Sequence, residues 1–93
     1  MNRIALDMVV ARKAGQITAD MDGETVMMSL DTSRYYNLGK TGSVIWSLIE
    51  NPTPVGEIVL NLLKEYDVPR ERCEAEVIAF LEDLLKEKLI EIA

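Results

Sequence analysis

The sequence predicts an α+β domain, strands first and helices after, and three observations carry that prediction. Polar and apolar residues alternate with period two between Gln16 and Leu38. From Lys40 onward apolar residues recur at three- and four-residue spacing. Pro52, Pro54 and Pro69 punctuate this second half where helices should begin and end.

Residues 16–21 and 25–30 read as two strands, with Val26, Met28 and Leu30 as the inward set of the second. Asp22-Gly23 between them favours a two-residue turn with both residues at positive φ. That turn sets Met21 opposite Glu24, Ala19 opposite Val26 and Ile17 opposite Met28. Asp31-Thr32-Ser33 leads to a third strand over 34–38. With Leu30 opposite Arg34, Met28 meets Tyr36 and Val26 meets Leu38, so Tyr36 and Leu38 join the buried face while Tyr35 and Asn37 face solvent. A short strand or extended arm over 8–11 precedes the meander, and Gly39 closes it.

The first helix covers 40–50, with Val44, Ile45, Leu48 and Ile49 on one stripe and Trp46 on its flank, and stops before Asn51-Pro52. Thr53 as N-cap and Pro54 as first helical residue open the second helix, whose stripe is Val55, Ile58, Val59, Leu62, Leu63 and Tyr66. Asp67-Val68-Pro69 ends it and starts the third, and 89–92 finishes the chain as a short extended tail. A three-stranded antiparallel meander followed by three helices is winged-helix-like, and 1–93 is expected to be one domain.

Composition narrows the chemistry. The 93 residues include no histidine and a single cysteine, and carry 16 Asp and Glu against 10 Lys and Arg, for a formal charge of −6. Without histidine there is no Ser-His or Cys-His pair and no His-metal site, and one cysteine excludes a Cys-rich zinc site and an internal disulfide. A core of this size leaves no volume for a large cofactor. The expectation is therefore a protein without catalytic residues, metal or cofactor. Net negative charge repels phosphate backbones, so nucleic acid is an unsuitable partner. Asp7 interrupts the apolar N-terminal stretch and no apolar run approaches about 20 residues, so neither secretion nor a membrane span is expected. A lone thiol fits the cytoplasm.

Motifs that superficially promise chemistry dissolve on spacing. Gly39-Lys40-Thr41-Gly42-Ser43 lacks the spacing of a phosphate-binding loop. Cys73 shares its helical phase with Val77, Phe80 and Leu84 and is expected in the core. Glu71, Glu74, Glu76, Glu82, Asp83 and Glu87 mark a solvated face of the third helix.

One feature exceeds what a core-facing helix needs. At about 100° per residue, the apolar residues of the third helix span an arc of roughly 160°, against roughly 100° for an ordinary core stripe. Cys73, Val77, Phe80 and Leu84 fill the middle. Ile78 and Leu85, with Leu81 as bridge and Glu74 and Glu82 alongside, form a second apolar shoulder. The third strand supplies a matching edge: short and paired on one side, it leaves backbone groups that an extended peptide satisfies by adding a strand. Met27, read as facing away from the core, offers an adaptable apolar contact for such a peptide.

The segments Asp22-Gly23-Glu24, Tyr35-Tyr36-Asn37-Leu38-Gly39-Lys40-Thr41-Gly42-Ser43-Val44-Ile45-Trp46, Tyr66-Asp67-Val68 and Leu84-Leu85-Lys86-Glu87-Lys88-Leu89-Ile90 resemble the PqqD-like family of peptide chaperones, whose fold is called a RiPP recognition element. The resemblance covers about residues 8–92 and is greatest to the stand-alone leader-binding proteins of lasso-peptide gene clusters. It implies a non-catalytic protein that binds the leader of a ribosomally made precursor and delivers it to a separate cysteine-protease-type leader peptidase. It also implies a leader added antiparallel to the third strand and packed on the third helix, with Arg34, Tyr35, Tyr36, Asn37 and Leu38 on the strand and Ile78, Leu81, Glu82 and Leu85 on the helix.

Two other classes compete. A DNA-binding or transcription-regulatory winged helix requires a basic recognition helix, and the third helix is acidic. A carrier protein requires a serine in an Asp-Ser-Leu context at a helix start, and the nearest string, Asp31-Thr32-Ser33, falls in a hairpin turn.

Overall fold

A computed structural model describes residues 4–93, so the first three residues of the N-terminal stretch and of the expected 1–93 domain lie outside the described residues. The chain runs through β1 (Val9–Arg12), β2 (Gln16–Met21), β3 (Glu24–Ser29), β4 (Tyr35–Asn37), α1 (Gly39–Leu48), β5 (Thr53–Pro54), α2 (Val55–Glu65), α3 (Arg70–Lys86) and β6 (Ile90–Ile92). The antiparallel meander β2-β3-β4 is followed by three helices, as the sequence predicts. A second small sheet of order β5-β1-β6 ties both ends of the described chain to the start of α2.

The first hairpin has the expected register. Met21 opposes Glu24, Ala19 opposes Val26 and Ile17 opposes Met28. Asp22 and Gly23 sit at φ 56° and 82°, the pair of left-handed residues a turn of this type demands.

The second connection differs from the sequence reading by one residue, and that residue reverses the sheet. Val26 pairs with Asn37, Met27 with Tyr36 and Met28 with Tyr35. The loop is 30–33 rather than 31–33: Ser33 adopts φ 58°, its N–H donates to the Ser29 carbonyl at 2.8 Å, and the Ser29 N–H donates to the Arg34 carbonyl at 3.0 Å. Because side chains alternate faces, this single shift sends Val26, Met28 and Leu30 to the outer face and Met27 and Ser29 inward. Met27 is 1% exposed, whereas Leu30 and Ile17 are each 55% exposed. Tyr36 and Leu38 nevertheless face the core, and Tyr35 and Asn37 face solvent, as expected.

Thr53 is not the N-cap of the second helix and Pro54 is not its first residue; Pro54 holds the N-cap position with no capping side chain. They form β5 against Val9 and Val10, and Thr53 Oγ1 donates to the carbonyls of Leu48 and Asn51 at 2.9 and 2.7 Å. The helix starts at Val55, whose N–H donates to the Met8 carbonyl at 2.9 Å, so the second sheet takes over the work of a capping side chain. The tail becomes β6, paired with Val10–Arg12.

The core gathers Met27, Ile45, Trp46, Ile49, Val55, Ile58, Val59, Leu62, Val77, Leu81, Leu84 and Leu89 with the central β1 residue Val10. On α3 the buried centre comprises Cys73, Val77, Leu81 and Leu84, so Leu81 replaces Phe80 in the expected stripe and Phe80 is left half-buried at its rim. Among the described residues no helix is long and apolar enough to cross a membrane.

Candidate peptide-binding groove

β4 is an edge strand, and its ladder with β3 fixes which backbone groups are free. Arg34 accepts from the Ser29 N–H, and the Leu38 N–H donates to the Thr25 carbonyl at 3.0 Å. Antiparallel pairing alternates, so the N–H and C=O groups of Tyr35 and Asn37 point away from β3 toward the open edge. The strand ends where Asn37 Oδ1 accepts the Gly39 N–H at 2.9 Å and α1 begins.

Leu38, the first residue after the strand, lines an apolar cavity of about 350 Å³ between the start of α1, the end of α2 and the first half of α3. Ile45, Leu62, Val68, Val77 and Phe80 line its apolar wall, and Thr41, Tyr66 and Glu76 supply polar atoms. Gly42 is essential to its shape: a Cβ there would lie 2.9 Å from Phe80 Cε1 and Cζ and 3.1 Å from Leu38 Cβ. Cys73 forms part of the floor. Burial pushes its thiol above the ordinary value, with the carboxylates of Glu76 and Glu74 acting in the same direction, so it stays a protonated, unreactive apolar group.

Across the strand from this cavity, Glu87 at the C-terminal end of α3 joins the two walls. Its Oε1 accepts the Tyr36 hydroxyl at 2.9 Å and pairs with the Arg34 guanidinium at 3.1 Å.

The residues expected to form the site do not all meet. Arg34, Tyr36 and Leu38 sit on the groove, and Tyr35 and Asn37 present its backbone edge. Met27 does not: it is buried in the core beneath β4, as the register requires. Leu81 is fully buried. Ile78 and Leu85 pack half-buried against the core, and Glu82 accepts the Ile4 N–H at 2.9 Å on that same flank. Glu74 pairs with Arg70 at 3.1 Å. At about 100° per residue, Ile78, Leu85 and Glu82 lie roughly 120–180° around α3 from Glu76, Phe80 and Glu87. The shoulder therefore serves the N-terminal segment, and the opposite flank faces β4. The apolar arc was wide because α3 packs on both sides.

Phe80, Gly42 and Glu87 stand at the candidate groove and are not among the site residues expected from sequence. Gly42 leaves a signal as the second glycine of a Gly-x-x-Gly turn, whereas Phe80 reads from the sequence as a mid-stripe core residue.

The family model for coenzyme PQQ synthesis protein D (PqqD) matches residues 24–90. No curated protein sequence matches. Among solved structures, TbiB1 in complex with the TbiA(beta) leader peptide is 34% identical, with a TM-score of 0.81 over 87% of this chain and 94% of that one. Lasso peptide synthetase B1 complexed with the leader peptide is 18% identical, with a TM-score of 0.79 over 88% of this chain and 96% of that one, a likeness of fold.

Proposed function

The chain belongs to the PqqD family, and from that premise we propose that it is a non-catalytic RiPP recognition element that binds the leader of a ribosomally made precursor, of the lasso-peptide class, and presents it to a separate leader peptidase. One juxtaposition carries this proposal: a strand edge with free N–H and C=O groups at Tyr35 and Asn37, continuous through Leu38 with an apolar cavity. A peptide added antiparallel to β4 gains affinity from backbone pairing, and every second side chain turns inward, where the cavity takes an apolar anchor. An interface on the order of 1,000 Å² follows. The 34% identical TbiB1, solved with a leader peptide, supports it.

Presentation follows from the face that the register turns outward. Ile17, Met28 and Tyr35 form one cross-strand row on the solvent side of the meander, with Leu30 beside it. A bound peptide extends this same sheet, so a peptidase seated on the apolar face meets the peptide as well. The acidic α3 argues against the DNA-binding alternative, because Glu71, Glu74, Glu76, Glu82 and Asp83 outnumber Arg70, Arg72 and Lys86 along it.

The test uses the leader of a short precursor sought among the reading frames neighbouring this protein's gene. Calorimetry is expected to give one-to-one binding, and the amide resonances of Tyr35 and Asn37 are expected to shift most. No binding, or binding that leaves the β4 amides unmoved, would overturn the proposal. A second outcome is expected at Gly42→Ala. The added methyl forces the Phe80 ring, which lines the cavity, to shift, so leader affinity should fall by about tenfold or more. The melting temperature should stay within a few degrees, since alanine favours the helix over glycine by roughly 1 kcal/mol.

A further inference from the structure

A carboxylate is poorly placed at the C-terminal end of a helix, where the last carbonyls carry partial negative charge. Glu87 nevertheless caps α3 there. What compensates it comes from the other wall of the groove: the Tyr36 hydroxyl at 2.9 Å and the Arg34 guanidinium at 3.1 Å, both on Oε1, from residues 51 and 53 positions earlier in the chain. The other two salt bridges among the described residues, Arg70 with Glu74 and Arg72 with Glu76, are i, i+4 pairs within α3 and join no separate elements. Glu87 thus spans elements at a position where its charge costs the helix.

Its location gives the cost a use. β4 is three residues long and, among the described residues, is paired with β3 alone. Its separation from α3 therefore depends on side chains. We propose that Glu87 is a positioning residue for leader binding: through Tyr36 and Arg34 it holds β4 at a fixed spacing from α3. A peptide then pairs with the Tyr35–Asn37 edge and reaches the cavity without having to order the strand first. The gain is one of preorganisation, because the free protein already stands in the binding geometry. Glu87 does not touch the peptide in this scheme. The proposal rests on the leader-binding reading above and adds to it the group that sets the width of the site.

The test compares wild type with Glu87→Ala, Glu87→Gln, Tyr36→Phe and the Glu87→Ala/Tyr36→Phe double variant, using the same leader peptide, fluorescently labelled. Glu87→Ala is expected to weaken binding about tenfold, as for loss of a hydrogen bond to a charged group. Glu87→Gln retains an acceptor for the Tyr36 hydroxyl and should lose only about threefold. The double variant should bind no more weakly than Glu87→Ala, since the phenol then has no partner left to lose. Melting temperatures should agree within a few degrees. The arm that separates positioning from mere structural support is this ladder of affinities at constant stability. Wild-type affinity in both Glu87 variants, or losses that multiply in the double variant, would overturn the role of Glu87 alone. Failure of wild type itself to bind the leader would overturn the peptide reading and this proposal with it.

Discussion

Replacing Tyr35 with proline is expected to cut leader affinity by roughly a hundredfold while leaving the fold in place. The Tyr35 N–H points to the open edge of the sheet, so proline removes a donor that serves no intramolecular bond. The ladder that holds β4 on β3 is untouched, because it runs through Arg34, Tyr36 and Leu38. Little packing is lost either, since the tyrosine side chain is 75% exposed. The incoming peptide loses one backbone hydrogen bond, about 0.5–1.5 kcal/mol net, and the proline ring also obstructs the neighbouring carbonyl that would have accepted it. Tyr35→Ala separates the two contributions, because it removes the ring and keeps the N–H. Calorimetry should show alanine close to wild type and proline far weaker, with similar thermal midpoints. Equal affinities for the alanine and proline variants would exclude strand addition at this edge.

How far the sequence specified these elements depended on the range of the interaction that fixed each one. The Asp22-Gly23 hairpin was legible because turn chemistry and strand alternation are both local and agree. The β3-β4 register was not. Val26, Met27 and Met28 are three apolar residues in succession, so either phase of the strand places apolar side chains inward. The decision fell to Ser33, which takes a left-handed conformation that its residue type does not announce. The rotation of α3 about its axis was equally hidden: the sequence showed a wide apolar arc but not which flank would meet β4 and which would meet Ile4. Glu87 read as one more solvated carboxylate because its partners lie half a chain away. Thr53-Pro54 imitated a helix start because a short β-strand and a helix N-terminus favour the same extended backbone.

The misread register has its largest consequence at the outer face of the meander. Residues whose apolarity suggests a core stand in solvent: Ile17 and Leu30 are each 55% exposed and Met21 61%, beside Tyr35 at 75%. A protein that worked alone would gain solubility by making these positions polar, and exposed apolar patches on small domains mark partner surfaces. The β2-β3-β4 sheet has its open edge at β4, so a leader strand added there continues the apolar face rather than covering it. Ile17→Asp together with Leu30→Asp is therefore expected to slow leader removal by the cognate peptidase at least tenfold, by burying unpaired charge in the contact. Affinity for the leader itself should remain at the wild-type value, since neither side chain approaches the groove. Cleavage measured at saturating leader with peptidase limiting isolates docking from peptide capture. Undiminished cleavage by the double variant would remove this face as the docking surface while leaving the β4 groove intact, whereas a parallel loss of leader affinity would mean that the two surfaces are not separable.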